Sequence, residues 1–186
     1  AINLSLLQGI FLRDLKIANV IPLFKAGETQ IFTNYRPVSL LSTVSKVYEK
    51  VFYRRLISFL NKYKILFKYQ FGFREKHATF MALLILLDKI TAALDAGESV
   101  IGVFLDFSKA FDTVDHDILA IKLEHYGIRG VALDWIKNYL LQREQYVSFN
   151  NTQSPKKYIT CGVPQGSILG PLLFLVYIND LAVVCD

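Results

Sequence analysis

Asp106 stands one residue from the end of the run "SVIGVFLDF" (residues 99–107), where alternating apolar side chains predict a buried strand. A lone carboxylate in an apolar setting is costly unless it lies at an edge, pairs with a base or binds a cation. No Lys or Arg shares its face of the predicted strand, and Lys109 lies beyond a turn. Asp112, Asp115 and Asp117 follow, so four acids crowd residues 106–117 and repel one another unless a metal or a helix end absorbs the charge. Oxygen donors at a strand end suit Mg²⁺, with Mn²⁺ as a substitute, because Mg²⁺ takes one or two carboxylates and completes its shell with water and substrate phosphates. Asp115 is placed to cap a helix opening at "HDILAIKL", and Asp117 falls in the first turn, where the helix dipole favours it. Asp112 also reads as structural. Asp106 has no such role.

The elements that must position this acid follow from periodicity. In the predicted strand Ile101, Val103, Leu105 and Phe107 point to one face and are expected to pack on helices. Val100, Gly102, Phe104 and Asp106 point to the other, where the glycine leaves room for a ligand. Helices are expected over 116–126 and 131–141, then a hairpin of 145–149 with 157–161 joined by "NNTQSPK". The glycine-rich loop 162–166 leads to a helix with Pro171 in its first turn, apolar nearly all round and therefore buried. Upstream, residues 1–38 read as extended pieces and loops, with "VIPLF" (20–24) a strand, "KAGETQ" a turn and Arg36-Pro37 a break before a helix. That helix spans 43–63, capped by Ser42, with Val44, Val47, Tyr48, Val51, Leu56, Phe59 and Leu60 at helical spacing. A second spans 79–94 and ends at Gly97. The mixture without strict alternation predicts an α+β fold, an antiparallel sheet covered on one face by helices.

Composition narrows the function classes. The 186 residues are 53% hydrophobic and only 20% charged, so either the core is large or apolar surface awaits a neighbour; the second reading is preferred. No membrane partner is expected: the longest apolar stretch, 168–178, is short and broken by Gly170-Pro171. The N-terminus lacks the basic region of a signal peptide. Cys161 and Cys185 have no metal-ligand spacing and read as core or near-core thiols of a reducing, intracellular compartment, nuclear or cytoplasmic. The net charge is +5, with Lys, Arg, Tyr and Phe concentrated in 46–76. That mixture suits a phosphate backbone with bases beside it, or else a solvated helix face above an aromatic core. His116 and His125 read as helix-surface residues, and Trp135 with Tyr139 as packing. "GVPQGS" lacks the spacing and the lysine of a phosphate-binding P-loop.

Four segments together carry a resemblance. "NYRPVSLLSTVSKVYEKV" (34–51), "YQFGFREKHAT" (69–79), "FLDFSKAFDTVDH" (104–116) and "GVPQGSILGPLLFLVYINDL" (162–181) resemble, in order, the two fingers motifs, the A motif and the B motif of reverse transcriptases of non-LTR (LINE-type, jockey-like) retrotransposons. The resemblance implies a right-hand polymerase fold, with residues 1–97 fingers-like and 98–186 an incomplete palm. By matching position it makes Asp106 the catalytic ligand of two Mg²⁺ ions and gives the Phe107 main-chain carbonyl to one of them. It makes Phe111 the steric gate against a ribonucleotide 2′-OH, and lays Pro164, Gln165 and Gly166 over the incoming nucleotide. Arg36 is the candidate for the triphosphate, with Lys25 and Arg74 weaker phosphate contacts; a loop-to-core hydrogen bond is the plain alternative for Arg36. His77 and Ala78 depart from the family pattern, which puts a hydroxyl contact from that loop in doubt.

The implied partners are an RNA template, a DNA primer, dNTPs and a C-terminal palm and thumb segment. The last enters because no Ala-Asp-Asp turn is present: Asp180 matches the end of the helix after the B motif, and Asp186 stands alone. The resemblance therefore implies a polymerase fragment, inactive by itself. The competing expectations are a non-catalytic nucleic-acid-binding remnant and an unrelated Mg²⁺-dependent phosphotransferase.

Overall fold

The computed structural model describes residues 1–184. Cys185 and Asp186 lie outside the described residues. The chain opens with helix α1 (Ile2–Gln8) and a 3-10 turn (Arg13–Lys16), then strands β1 (Ile17–Phe24) and β2 (Tyr35–Leu40). Helices α2 (Thr43–Lys62), α3 (Thr79–Asp95), α4 (His116–His125) and α5 (Val131–Leu140) follow. Strands β3 (Arg143–Phe149), β4 (Thr152–Gln153) and β5 (Lys157–Ile159) precede helices α6 (Leu169–Ile178) and α7 (Leu181–Val184). Helix α1 corrects the reading of 1–38 as extended pieces and loops.

The sheet is mixed, which corrects the antiparallel expectation. β1 runs antiparallel to β2, from Asn19 opposite Leu40 to Phe24 opposite Tyr35, but parallel to β3, from Ile17 opposite Glu144 to Val20 opposite Val147. A parallel pair needs a long crossover, and the chain between β1 and β3 supplies it with β2 and four helices. The expected hairpin forms: β3 pairs antiparallel with β5 and, at its far end, with β4. Arg36-Pro37 does not break the chain before a helix but lies inside β2. This is an edge strand, where a missing N–H costs no ladder bond, and Pro37 faces Pro22 across the pair.

The core corrects the expected layering as well. It is helix on helix: every member of the main buried cluster comes from α2, α4, α5, α6 or the loops between elements, and none from a strand. On α2 the buried stripe is Ser45, Tyr48, Glu49, Phe52, Leu56 and Leu60, at spacings of three and four, while Val44 and Val47 face solvent. Trp135 of α5 is fully enclosed. It stacks on Phe52 at 4.2 Å and Tyr139 at 5.7 Å, meets the edge of Phe11 at 5.3 Å, and its Nε1–H donates to Ser5 Oγ at 3.0 Å, which ties α1 to the core. Its packing role is thus as expected. At the α5–β3 corner two cations are buried. Arg143 Nη1 donates to the Tyr139 carbonyl, and Lys16 Nζ donates to the Leu141 carbonyl. Burial, then the charges of Arg143 and Arg13, hold Lys16 below the usual lysine range.

The largest correction concerns residues 100–107, which form no strand. The segment is exposed along its length, Ile101 at 89% and Phe104 at 85%, so the set 101, 103, 105 and 107 packs on no helix. A strand exists through its ladder, and among the described residues no chain runs beside this one. Helix α3 forms as expected but buries none of its residues. No helix among the described residues is long and apolar enough to cross a membrane.

Candidate nucleotide and metal site

Asp106 stands near the end of the exposed segment, itself exposed, with no ion pair among the described residues. Among the described residues neither Lys109 nor any other base lies within ion-pair distance of it. Phe107 follows, half-exposed. The chain then turns through Lys109 (φ +54°), whose carbonyl accepts the Asp112 N–H at 2.8 Å. The turn returns the chain to the core at Phe111 and Asp112.

Here the loop before α6 docks. Val163 N–H donates to the Phe111 carbonyl at 2.8 Å, Gly162 N–H to the Val114 carbonyl at 2.7 Å, and Gln165 Nε2 to Asp112 Oδ1 at 2.8 Å. Gly162 has φ +86°, and a Cβ there would lie 2.8 Å from the Asp112 carbonyl oxygen, so only glycine permits this approach. On the other side Ser39 N–H of β2 donates to the Gln165 carbonyl at 2.8 Å, and a Cβ on Gly166 (φ +118°) would stand 2.6 Å from the Ser39 oxygen. Pro164 is buried, and its carbonyl accepts from Ser167 N–H and Oγ. Phe111 is half-buried between Phe174 of α6 at 5.0 Å and Phe73 at 5.7 Å. The segments 34–51, 69–79, 104–116 and 162–181 therefore converge on Phe111, Asp112 and Gln165.

The basic candidates sit further out. Arg36 is exposed on β2, three residues before Ser39, and its guanidinium makes no hydrogen bond among the described residues. Lys25 is exposed at the β1–β2 turn, where its N–H donates to the Asn34 carbonyl. Arg74 Nη1 donates to the carbonyls of Phe67 and Gln70 and so clamps its own loop.

Asp115 caps α4, its Oδ1 accepting from the N–H groups of Asp117 and Ile118 at 2.9 Å, as expected. Ser42 holds the cap position of α2 without a side-chain bond. Three other residues depart from expectation. Cys161 is exposed rather than near the core, its Sγ donating to the Asp112 carbonyl. His116 is half-buried, and its Nε2 lies 2.7 Å from the Gly162 carbonyl; a carbonyl only accepts, so Nε2 carries the proton. Glu49 is fully buried, against the rule that carboxylates stay outside. The sequence signal for Glu49 was an acid inside the buried stripe of α2; for His116 there was none. Asp180 pairs with Lys122 at 2.6 Å, joining the end of α6 to α4.

Among the described residues no three His, Cys, Asp or Glu side chains gather as a metal cluster. Asp106 is exposed and offers one carboxylate, a donor of the type that Mg²⁺ takes alongside water.

The glycine-hinged loop thus docks on Phe111 and Asp112, five or more residues along the chain from the exposed Asp106. Residues 25–184 match the family model described as reverse transcriptase (RNA-dependent DNA polymerase), and the chain belongs to that family. It is 36% identical over 186 residues to the probable RNA-directed DNA polymerase from transposon BS of Drosophila melanogaster, covering 96% of this chain and 20% of that protein. It is 36% identical over 174 residues to the RNA-directed DNA polymerase from mobile element jockey of the same species, covering 93% and 19%. It is 37% identical over 148 residues to the probable RNA-directed DNA polymerase from transposon X-element, covering 80% and 16%. The chain thus spans about a fifth of the length of these relatives.

Proposed function

We propose that this chain forms the nucleotide-selecting face, and one half of the metal site, of an RNA-directed DNA polymerase that copies a retrotransposon RNA from a DNA primer. In this reading residues 1–97 serve as fingers and 98–186 as palm. The observation that carries it is the joint of Phe111–Asp112 with Gly162–Gln165, together with an exposed Asp106 that has no ion pair among the described residues.

The division of labour follows from the side chains. Asp106 and the Phe107 carbonyl would hold Mg²⁺, and further acids would come from outside the described residues. When bound, the metal pair lowers the cost of the attacking 3′-oxygen and of the leaving pyrophosphate. The chain's own part is selection and placement. Phe111, braced by Phe73 and Phe174, presents a ring edge to the sugar, where a 2′-OH would collide. Gln165, fixed at its carbonyl by Ser39 and at its amide by Asp112, holds the loop in register over the nucleotide. Arg36, exposed and uncommitted, is free to meet the triphosphate, with Lys25 beside it at the same end of the β1–β2 pair. Arg74 meets the template backbone with the guanidinium nitrogens its own loop leaves unused.

The test is template-directed primer extension by the full-length protein and its Asp106→Asn variant. Removing the charge while keeping the shape should lower kcat by about 10³-fold or more, with template–primer affinity unchanged. Extension by the variant at a rate close to the parent's would refute the assignment.

A further inference from the structure

Locally along the chain, helix α6 is capped only at Gly170, whose N–H meets the hydroxyl of Ser167. Ile168 holds the cap position with helical backbone angles (φ −77°, ψ −34°) and no side-chain oxygen. The first-turn donors nevertheless all find acceptors. Ile168 N–H donates to Glu49 Oε2 at 2.7 Å, Leu169 N–H to the same oxygen at 3.3 Å, and Gly170 N–H to Ser167 Oγ at 2.9 Å; Pro171 has no N–H to satisfy. Glu49 comes from the middle of α2, 119 residues earlier in the chain than Ile168. Its other oxygen accepts from Ser45 Oγ at 3.0 Å. No lysine or arginine pairs with it among the described residues.

A buried carboxylate without a cation is costly unless hydrogen bonds and a positive potential compensate. The N-terminus of α6 offers both: aligned N–H groups and the positive end of the helix dipole. Burial, and then the Glu49 charge, push the Tyr139 hydroxyl far above the ordinary tyrosine range against the opposing pull of Arg143, so the phenol stays protonated.

The position of this bond gives it a consequence. The residues just before Ile168 are Pro164, Gln165, Gly166 and Ser167, which lie on Asp112 and Ser39. The loop is anchored at its start by Val163 on Phe111 and at its end by Glu49. We propose that Glu49 is a positioning residue: its carboxylate, acting as a cap delivered from another helix, fixes the register of the 162–168 loop and so the placement of Gln165 against Asp112. The structural part stands on the contacts alone, and the effect on nucleotide handling rests on the polymerase reading above.

Two variants in the full-length protein separate this role from simple core filling. Glu49→Gln keeps the shape and one oxygen acceptor but removes the charge. Glu49→Leu keeps an apolar side chain of similar bulk and removes the acceptors. Hydrogen exchange at Ile168, Leu169 and the 162–167 amides should quicken by about tenfold in Glu49→Gln and further in Glu49→Leu, while α4 and α5 stay within about twofold of the parent. In primer extension KM for dNTP should rise by about fivefold or more in Glu49→Gln, with kcat changed less than about twofold. Parent-like exchange at 162–169 in Glu49→Gln overturns the proposal, and so does a uniform quickening across all helices. Should Glu49→Leu fail to fold, Glu49→Gln decides alone. A parent protein that extends no primer removes the polymerase reading and leaves the exchange result standing.

Discussion

Two apolar regions of this molecule meet opposite fates. Helix α6 and residues 79–107 are both rich in leucine, isoleucine and phenylalanine. In α6, Leu169, Leu172, Leu173, Leu175 and Val176 are buried against α2 and α4. In the other region, which combines α3 with the extended segment, Phe80, Leu83, Leu84, Leu87, Val103 and Phe104 are all exposed. Local sequence makes α3 a helix, since a run of leucine, alanine and isoleucine with no internal glycine or proline has the propensity for one. Propensity does not bury it. Residues 100–107 lack even that support, because an extended chain gains its hydrogen bonds only from a neighbour. Apolar pattern thus states a demand for a partner, and the fold states whether the described residues meet it.

The comparison can be broken most severely at Trp135. Its ring joins Phe11, Phe52 and Tyr139, and its N–H satisfies Ser5. Trp135→Ala should cost about 3–5 kcal/mol, enough to unfold a marginally stable domain. Asp106→Asn, in the exposed segment, should leave the urea midpoint unmoved. Circular dichroism is the readout for both, since Trp135 is the only tryptophan in the sequence. Equal losses from the two variants would erase the distinction between packed and open regions.

A smaller effect sharpens the comparison at the loop that leads into α6. Gly166 has φ +118°, and a Cβ would press to 2.6 Å on the Ser39 carbonyl oxygen, a backbone atom that cannot swing aside. Gly166→Ala should cost about 1–3 kcal/mol and shift the loop away from β2. Gly97→Ala is the control. Its φ is also positive, at +75°, but nothing lies within 4 Å of the added atom, so only the backbone part of the cost should remain. Urea midpoints followed by Trp135 fluorescence give the difference, which isolates the close approach. Identical midpoints would mean that the approach to Ser39 contributes nothing.

Legibility in the sequence followed local pattern rather than burial, since α3 was readable as a helix although none of its residues is buried. The α2, α4, α5 and α6 segments were readable because each satisfies its own pattern and then finds neighbours. The Asp115 cap was readable because capping is local: the acid bonds N–H groups two and three residues on. The fate of residues 100–107 was not, because alternation specifies a strand only when a ladder exists. The parallel β1–β3 pair was hidden for a related reason: it joins segments 127 positions apart, from Ile17 to Glu144, and no local signal carries that register. At the site, Asp106, Phe111 and Gln165 stood out through motif order and chemistry. Glu49 and His116 did not, because what they bond lies far along the chain: Ile168 and Leu169 for one, the Gly162 carbonyl for the other. Long-range hydrogen bonds leave almost no trace in a single sequence, which is why residues that brace a loop from afar are harder to read than those inside a local motif.

The smallest expected effect is also the most direct test of the open region. Leu83 and Leu87 lie one turn apart on α3, both more than half exposed. Lysine has nearly the helix propensity of leucine, so Leu83→Lys with Leu87→Lys should keep the helix. Nothing apolar is lost from a core that these side chains do not enter, so the 186-residue chain should change in stability by no more than about 0.5 kcal/mol. The same pair should raise solubility by breaking a contiguous apolar patch. Leu172→Lys on α6 sets the opposite limit, since it places an ammonium in a site from which water is excluded and should unfold the chain. The decisive quantity is the gap between the α3 pair and the α6 single. If the pair costs more than about 1 kcal/mol by urea denaturation, the helix is packed in solution and the contrast between the two regions fails.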